Sequence, residues 1–159
     1  LVRSDFAKKL HEEVVQILPE WTVSGGGVTV EVDGLRNLHE VLSQRQLIPT
    51  QHASNLKQSR KWVHQVNWFI SNTFDLPTIL GRVWTVQLKG IESEMTVAIN
   101  GRRLAQVDGD KQIHHLDVTN ALRSGQNVIV CRLHSLDSDE NMMVPEAKLI
   151  GAPKLDLAS

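Results

Sequence analysis

An all-β antiparallel sandwich is the fold this sequence predicts, on three observations. Apolar residues alternate through several short runs, turn-forming residues separate those runs, and 41% of the 159 residues are hydrophobic. Alternation is the period of a strand with one face on a core. A core drawing on Val97, Ile99, Leu116, Val118, Ile129 and Leu133 needs two sheets to bury it. The length suits one domain that stands without disulfide or metal staples.

The sandwich is preceded by an expected amphipathic helix. From Ser4 to Leu18, Phe6, Leu10, Val14 and Ile17 fall at helical spacing, with Ser4 or Asp5 as cap and Pro19 beyond the end. Residues 1–20 are therefore assigned to a helical lead-in, 21–151 to the sandwich and 152–159 to a frayed tail. Trp21 to Val23 and Val28 to Val32 read as strands around the Gly25-Gly26-Gly27 turn. Between 33 and 61 the pattern is weak. Leu35, Leu38, Val41 and Leu42 have helical spacing, and the polar run from Gln51 to Arg60 reads as a surface loop. Trp62 to Ile70 reads as a strand, with Val66, Trp68 and Ile70 on one face and Asn67 and Phe69 on the other.

The second half is more regular. Trp84 to Lys89 alternates, and Met95 to Ile99 alternates again before Asn100-Gly101, the dipeptide that most readily closes a two-residue hairpin. Arg102 to Gln106 is the returning strand, Asp108-Gly109-Asp110 a turn, and Gln112 to Asp117 extended. Thr119 or Asn120 can cap a single helical turn that Gly125 stops. Val128 to Leu133 is a strand apolar on both faces, and Ala147 to Ile150 closes the sandwich.

Val97-Ala98-Ile99-Asn100-Gly101, Leu104, Gly109, Asp117-Val118-Thr119, Leu122, Gly125 and Asn127 to Val130 together resemble the sugar-binding jelly-roll domain of family-two glycoside hydrolases. This is the beta-galactosidase and beta-glucuronidase group. Asn67-Trp68-Phe69 and Phe74-Asp75-Leu76-Pro77 resemble that family's aromatic strand and its bend. The resemblance covers roughly residues 62 to 150 and implies an antiparallel, galactose-binding-like jelly roll. It also implies that the catalytic carboxylates belong to a separate barrel, so that this chain is a non-catalytic module attached to or cut from a larger glycan-processing protein. The chain departs from the family pattern at Val107, Gly109-Asp110-Lys111 and Ile113-His114. There the family commonly has a His, paired Gly with an aromatic, then Pro-Phe.

Composition excludes several functions. A net charge of −1 without a basic face argues against nucleic acid. No apolar run approaches the roughly 18 residues of a bilayer-spanning helix. His11-Glu12-Glu13 lacks the second zinc ligand, because Val15 stands where it would be, and no Gly-x-Ser-x-Gly nucleophile elbow occurs. His114 and His115 point to opposite faces of a strand and cannot chelate one ion together. Asp137 to Asn141 offers oxygens without the spacing of a calcium loop, and the lone Cys131 reads as a small core residue. No catalytic residue, metal or cofactor is assigned.

The expected partner is a neighbouring domain of a parent polypeptide or a glycan. A glycan would be held by Trp62 or Trp68 stacking, with Asn67, Arg102 and His114 as polar contacts. An alternative is a protein-interaction domain that docks through the N-terminal helix. The initial Leu1 leads to the expectation of a processed chain or an excised piece.

Overall fold

The computed structural model describes residues 12–134, 137 and 141–154. Its strands are β1 (Val14–Leu18), β2 (Glu20–Gly25), β3 (Val28–Asp33), β4 (Arg36–Asn37), β5 (Trp68–Leu76), β6 (Arg82–Lys89), β7 (Met95–Ile99), β8 (Arg102–Val107), β9 (Ile113–Asp117), β10 (Gly125–Leu133), β11 (Met143–Val144) and β12 (Glu146–Pro153). Three short helices, α1 (Leu38–Gln44), α2 (Thr50–Ala53) and α3 (Leu56–Gln65), lie between β4 and β5. A four-stranded sheet in the order β1-β12-β6-β9 faces a six-stranded sheet in the order β3-β2-β5-β10-β7-β8, and β11 pairs with β4. Every pairing is antiparallel, so the predicted jelly-roll sandwich is the observed architecture.

Alternation sets which side chains meet between the sheets. Val23, Ile70, Ile129 and Ile99 come from the larger sheet, and Leu149, Val86 and Leu88 from the smaller; all are fully buried. Val97, Val118 and Leu133 are buried as expected, whereas Leu116 only packs against the core from its margin. Trp21, Trp68 and Trp84 are the largest buried residues. Each such ring removes about 150–250 Å² from water, a gross gain of roughly 4–6 kcal/mol before ordering costs. Two glycines leave the space for them. A Cβ on Gly151, which pairs with Trp84, would lie 2.6 Å from that ring, and one on Gly25 would lie 2.6 Å from Trp68. Each indole N–H donates to a main-chain carbonyl of this chain: Trp21 to Pro145, Trp68 to Val63 and Trp84 to Ile79.

The segment that carries the family resemblance is held by side-chain amides. Asn100 and Gly101 both have positive φ, 52° and 80°, as the hairpin turn demands. Asn100 Nδ2 donates to the Ala121 carbonyl and to Asn127 Oδ1, while Val128 N–H donates to Asn100 Oδ1. Fully buried Asn127 also accepts from Arg123 N–H and donates to the carbonyls of Arg123 and Gly125. Asp117 Oδ1 accepts from both the amide and the hydroxyl of Thr119, and Thr119 Oγ1 accepts from Trp84 N–H. This ties the corner to β6. The stretch is a hydrogen-bonded turn over 119–121, not a helical turn, and Gly125 at φ 90° begins β10.

Several expectations are corrected. Val14–Leu18 is not the end of a helix but strand β1, paired with β12. Its β-branched residues supply the edge partner that β12 needs, and their helical spacing is incidental. The rest of the predicted lead-in, up to His11, lies outside the described residues. Gln51 to Arg60 is not a loop, and the strand expected from Trp62 begins only at Trp68. Asn55 caps α3, its Oδ1 accepting from Lys57 and Gln58 N–H, and Ser59 and Val63 form the buried i, i+4 pair. Ala152 and Pro153, expected to fray, are the last residues of β12. Of the acidic 137–141 run, Ser138, Asp139 and Glu140 lie outside the described residues, and with them the calcium question.

Two substitutions check this account. Gly101→Val, at a position where a Cβ meets nothing within 4 Å, should cost about 1 kcal/mol or more through backbone strain alone. An unchanged midpoint in urea unfolding would contradict the turn. Asn127→Leu should cost about 2–4 kcal/mol, because it strands several buried partners at once. A loss below about 0.5 kcal/mol would show that the amide is dispensable.

Candidate functional site

The helices between β4 and β5 build one side of a groove of about 320 Å³. Asn37 starts α1, its Oδ1 accepting from Glu40 N–H, and this cap turns His39 and Glu40 toward α3. Leu56, Arg60, Val63 and His64, at successive turns of α3, line the opposite wall, and Asn141 and Met142 close one end. His39 Nε2 lies 2.9 Å from the Ser59 hydroxyl, which donates its only proton to the Leu56 carbonyl at 2.9 Å. Ser59 must therefore accept from His39. The pair is a structural hydrogen bond, not an activated nucleophile, since the histidine has no proton to remove from that oxygen.

Burial and the Arg60 guanidinium lower the pKa of His39, Glu40 raises it by less, and His64 adds the smallest downward effect. The ring is neutral at pH 7. Glu40 is the sole carboxylate among the described residues of this groove, whereas glycoside hydrolysis needs two. Asp108 and Asp117 are held below the usual carboxylate range by hydrogen bonds from Asp110 and Thr119 respectively, which is opposite to what a general acid needs. Burial pushes the Cys131 thiol up, so it is inert. Among the described residues, no group of three His, Cys, Asp or Glu is placed to hold a metal ion.

The five residues expected to contact a glycan do not converge. Trp68 is fully buried under α3. Trp62 is half-buried on α3, stacked on His52 at 6.5 Å and edge-on to Trp68 at 5.8 Å. Asn67 is exposed and accepts from Arg132 Nη2 at 3.1 Å. Arg102 sits at the hairpin end of β8, opposite Ile99, while Trp68 lies level with Leu133 and Met95. Four residues of β7, about 13 Å at the rise of a strand, separate those two levels. His114 belongs to the other sheet, buried beside the Asp108 carbonyl at 2.8 Å and 3.6 Å from the Asp110 carboxylate. His115 is exposed on the opposite face, as the strand period requires.

Residues 21–151 match the family described as glycosyl hydrolase 2 galactose-binding domain-like. The chain belongs to that family. An exo-beta-D-glucosaminidase of Streptomyces avermitilis is 28% identical over 94 residues, which is 57% of this chain and 10% of that protein. A beta-galactosidase of an Arthrobacter species is 34% identical over 68 residues, 43% of this chain and 6% of that protein. The chain thus spans about a tenth or less of the length of these relatives. The crystal structure of a beta-D-mannosidase from Dictyoglomus thermophilum superposes with a TM-score of 0.65 at 19% identity, covering 77% of this chain and 16% of that one. That likeness is one of fold.

The α1–α3 groove was missed in the sequence. The signal lay in two Asn caps, Asn37 and Asn55, each followed by helix-forming residues, with Leu38 and Leu42 an apolar pair four apart after the first. The state of His39 gives a pH prediction. A histidine whose folded pKa is depressed contributes stability above its unfolded value, about 6.5, which is lost as pH falls through the folded pKa. Acidification from pH 7 to pH 5 should therefore lower the melting temperature less in His39→Gln than in the unaltered chain. Equal pH slopes would show that His39 does not report on folding.

Proposed function

We propose that this chain is a non-catalytic module of a larger glycan-processing protein, one that buttresses a neighbouring domain of the same polypeptide. The observation that carries this reading is the outer face of the four-stranded sheet. Val15 and Ile17 on β1 and Val83 on β6 point away from the core and are 53%, 58% and 39% exposed. Ile150 lies between them, paired with Val15 and Thr85. A contiguous apolar strip on a sandwich face marks a surface that something covers. The relatives' much greater length supports a covering domain within the same polypeptide.

The aromatic inventory supports the same reading. Three of the four indoles are buried with their N–H groups bound inside the chain, so those three rings are not open to a sugar. A weak glycan site is the second reading, favoured by the half-exposed Trp62.

Ile17→Lys tests the module reading. In the isolated chain it should shift stability by no more than about 0.5 kcal/mol, since the side chain is exposed. In the parent polypeptide it should free the module to limited proteolysis, and an unaltered digestion pattern would overturn the proposal. The glycan reading predicts saturable Trp-fluorescence changes with galactosides or glucuronides at about 10 μM to 1 mM, lost in Trp62→Ala. Absence of any response at millimolar ligand removes it.

A further inference from the structure

We propose that the groove between α1 and α3 binds a small hydroxycarboxylate of the sugar-acid class. Arg60 would take the carboxylate, and Glu40 and His39 would accept from the hydroxyls. This goes beyond the module reading and stands apart from it, because the groove lies on the helices and not on the apolar sheet face.

Arg60 is the starting point. Its guanidinium is half-buried on the groove wall and has no hydrogen-bond or ion-pair partner among the described residues. A guanidinium in that setting presents a planar fork that matches a carboxylate in two parallel hydrogen bonds. Glu40 lines the facing wall without closing on it. The groove therefore holds a donor fork on one side and an acceptor carboxylate on the other.

His39 decides what else the ligand must carry. Its Nε2–H is committed to Ser59, because the Ser59 hydroxyl has given its own proton to Leu56. The remaining ring nitrogen, Nδ1, carries a lone pair and can only accept. Burial and the Arg60 guanidinium help to keep the ring neutral, which preserves that acceptor at pH 7. Two acceptors and one cationic fork lining the same groove suit a molecule with a carboxylate at one end and hydroxyl donors at the other. Buried Val63 and Met142 supply apolar surface below for its ring carbons. The volume, about 320 Å³, is at the lower end of small-molecule sites and suits a single ring.

The experiment is a calorimetric titration of the unaltered chain with D-glucuronate and D-galacturonate, with D-glucose and acetate as controls. A uronate should bind with a Kd of about 1 mM or below, and glucose and acetate at least about ten-fold more weakly. Arg60→Gln should weaken the uronate about ten-fold or more, and Arg60→Lys should restore only part, because the charge returns without the fork. The same titration followed by the ring resonances of His39 locates the site without any variant, which covers the case in which Arg60→Gln fails to fold. Uronate binding that leaves the His39 resonances unmoved overturns the proposal. So does glucose or acetate binding as well as the uronate, or no saturable binding by either uronate.

Discussion

The buried amide of Asn127 is the contact on which the regular half of this fold depends. Its oxygen receives Arg123 N–H and Asn100 Nδ2, and its nitrogen donates to the Arg123 and Gly125 carbonyls. Through it the β7–β8 hairpin, the corner after β9 and the start of β10 become one unit. A buried amide with every hydrogen-bonding group satisfied specifies a single arrangement, because each alternative leaves polar atoms stranded in a dry interior. Asp117 and Thr119 do the same on the other side of the corner, joining it to Trp84 in the second sheet.

That network explains why the family could be recognised from sequence while its chemistry could not. The residues that carry the resemblance, Asn100-Gly101, Asp117 to Thr119, Gly125 and Asn127, are consumed in holding the chain together. Their polar groups face one another and have little left for a ligand. A motif of this kind marks a fold, and family membership through it says nothing of what a given member binds.

The second half of the chain was legible because its elements obey local rules. Alternation sets β6, β7 and β9, and the positive φ of Asn100 and Gly101 is a property of those two residues. The first half misleads where two periods fit the same residues. Val14, Ile17 and Leu18 satisfy a helix as well as a strand, and only the open edge of β12 decides between them. From Trp62 to Val66 the apolar positions are equally ambiguous, and the Asn55 cap settles the matter seven residues upstream of Trp62. The five expected glycan contacts fail to meet for a related reason. Period 2 tells which face a residue takes but not which end of the sheet it occupies, and Arg102 and Trp68 stand at different levels of the larger sheet.

Helix α3 then redirects where chemistry can occur. Trp62 to Ile70 does not form one continuous strand. Instead Val63 of α3 is fully buried, its carbonyl takes the Trp68 indole N–H, and Trp62 leans edge-on against the same ring. The helix covers the Trp68 ring. In doing so it creates the facing wall against α1, with Arg60 and His64 on its outer turns and Glu40 and His39 opposite. The rings of Trp21, Trp68 and Trp84 are spent on the core, whereas the groove between the helices keeps charged and hydrogen-bonding side chains on its walls.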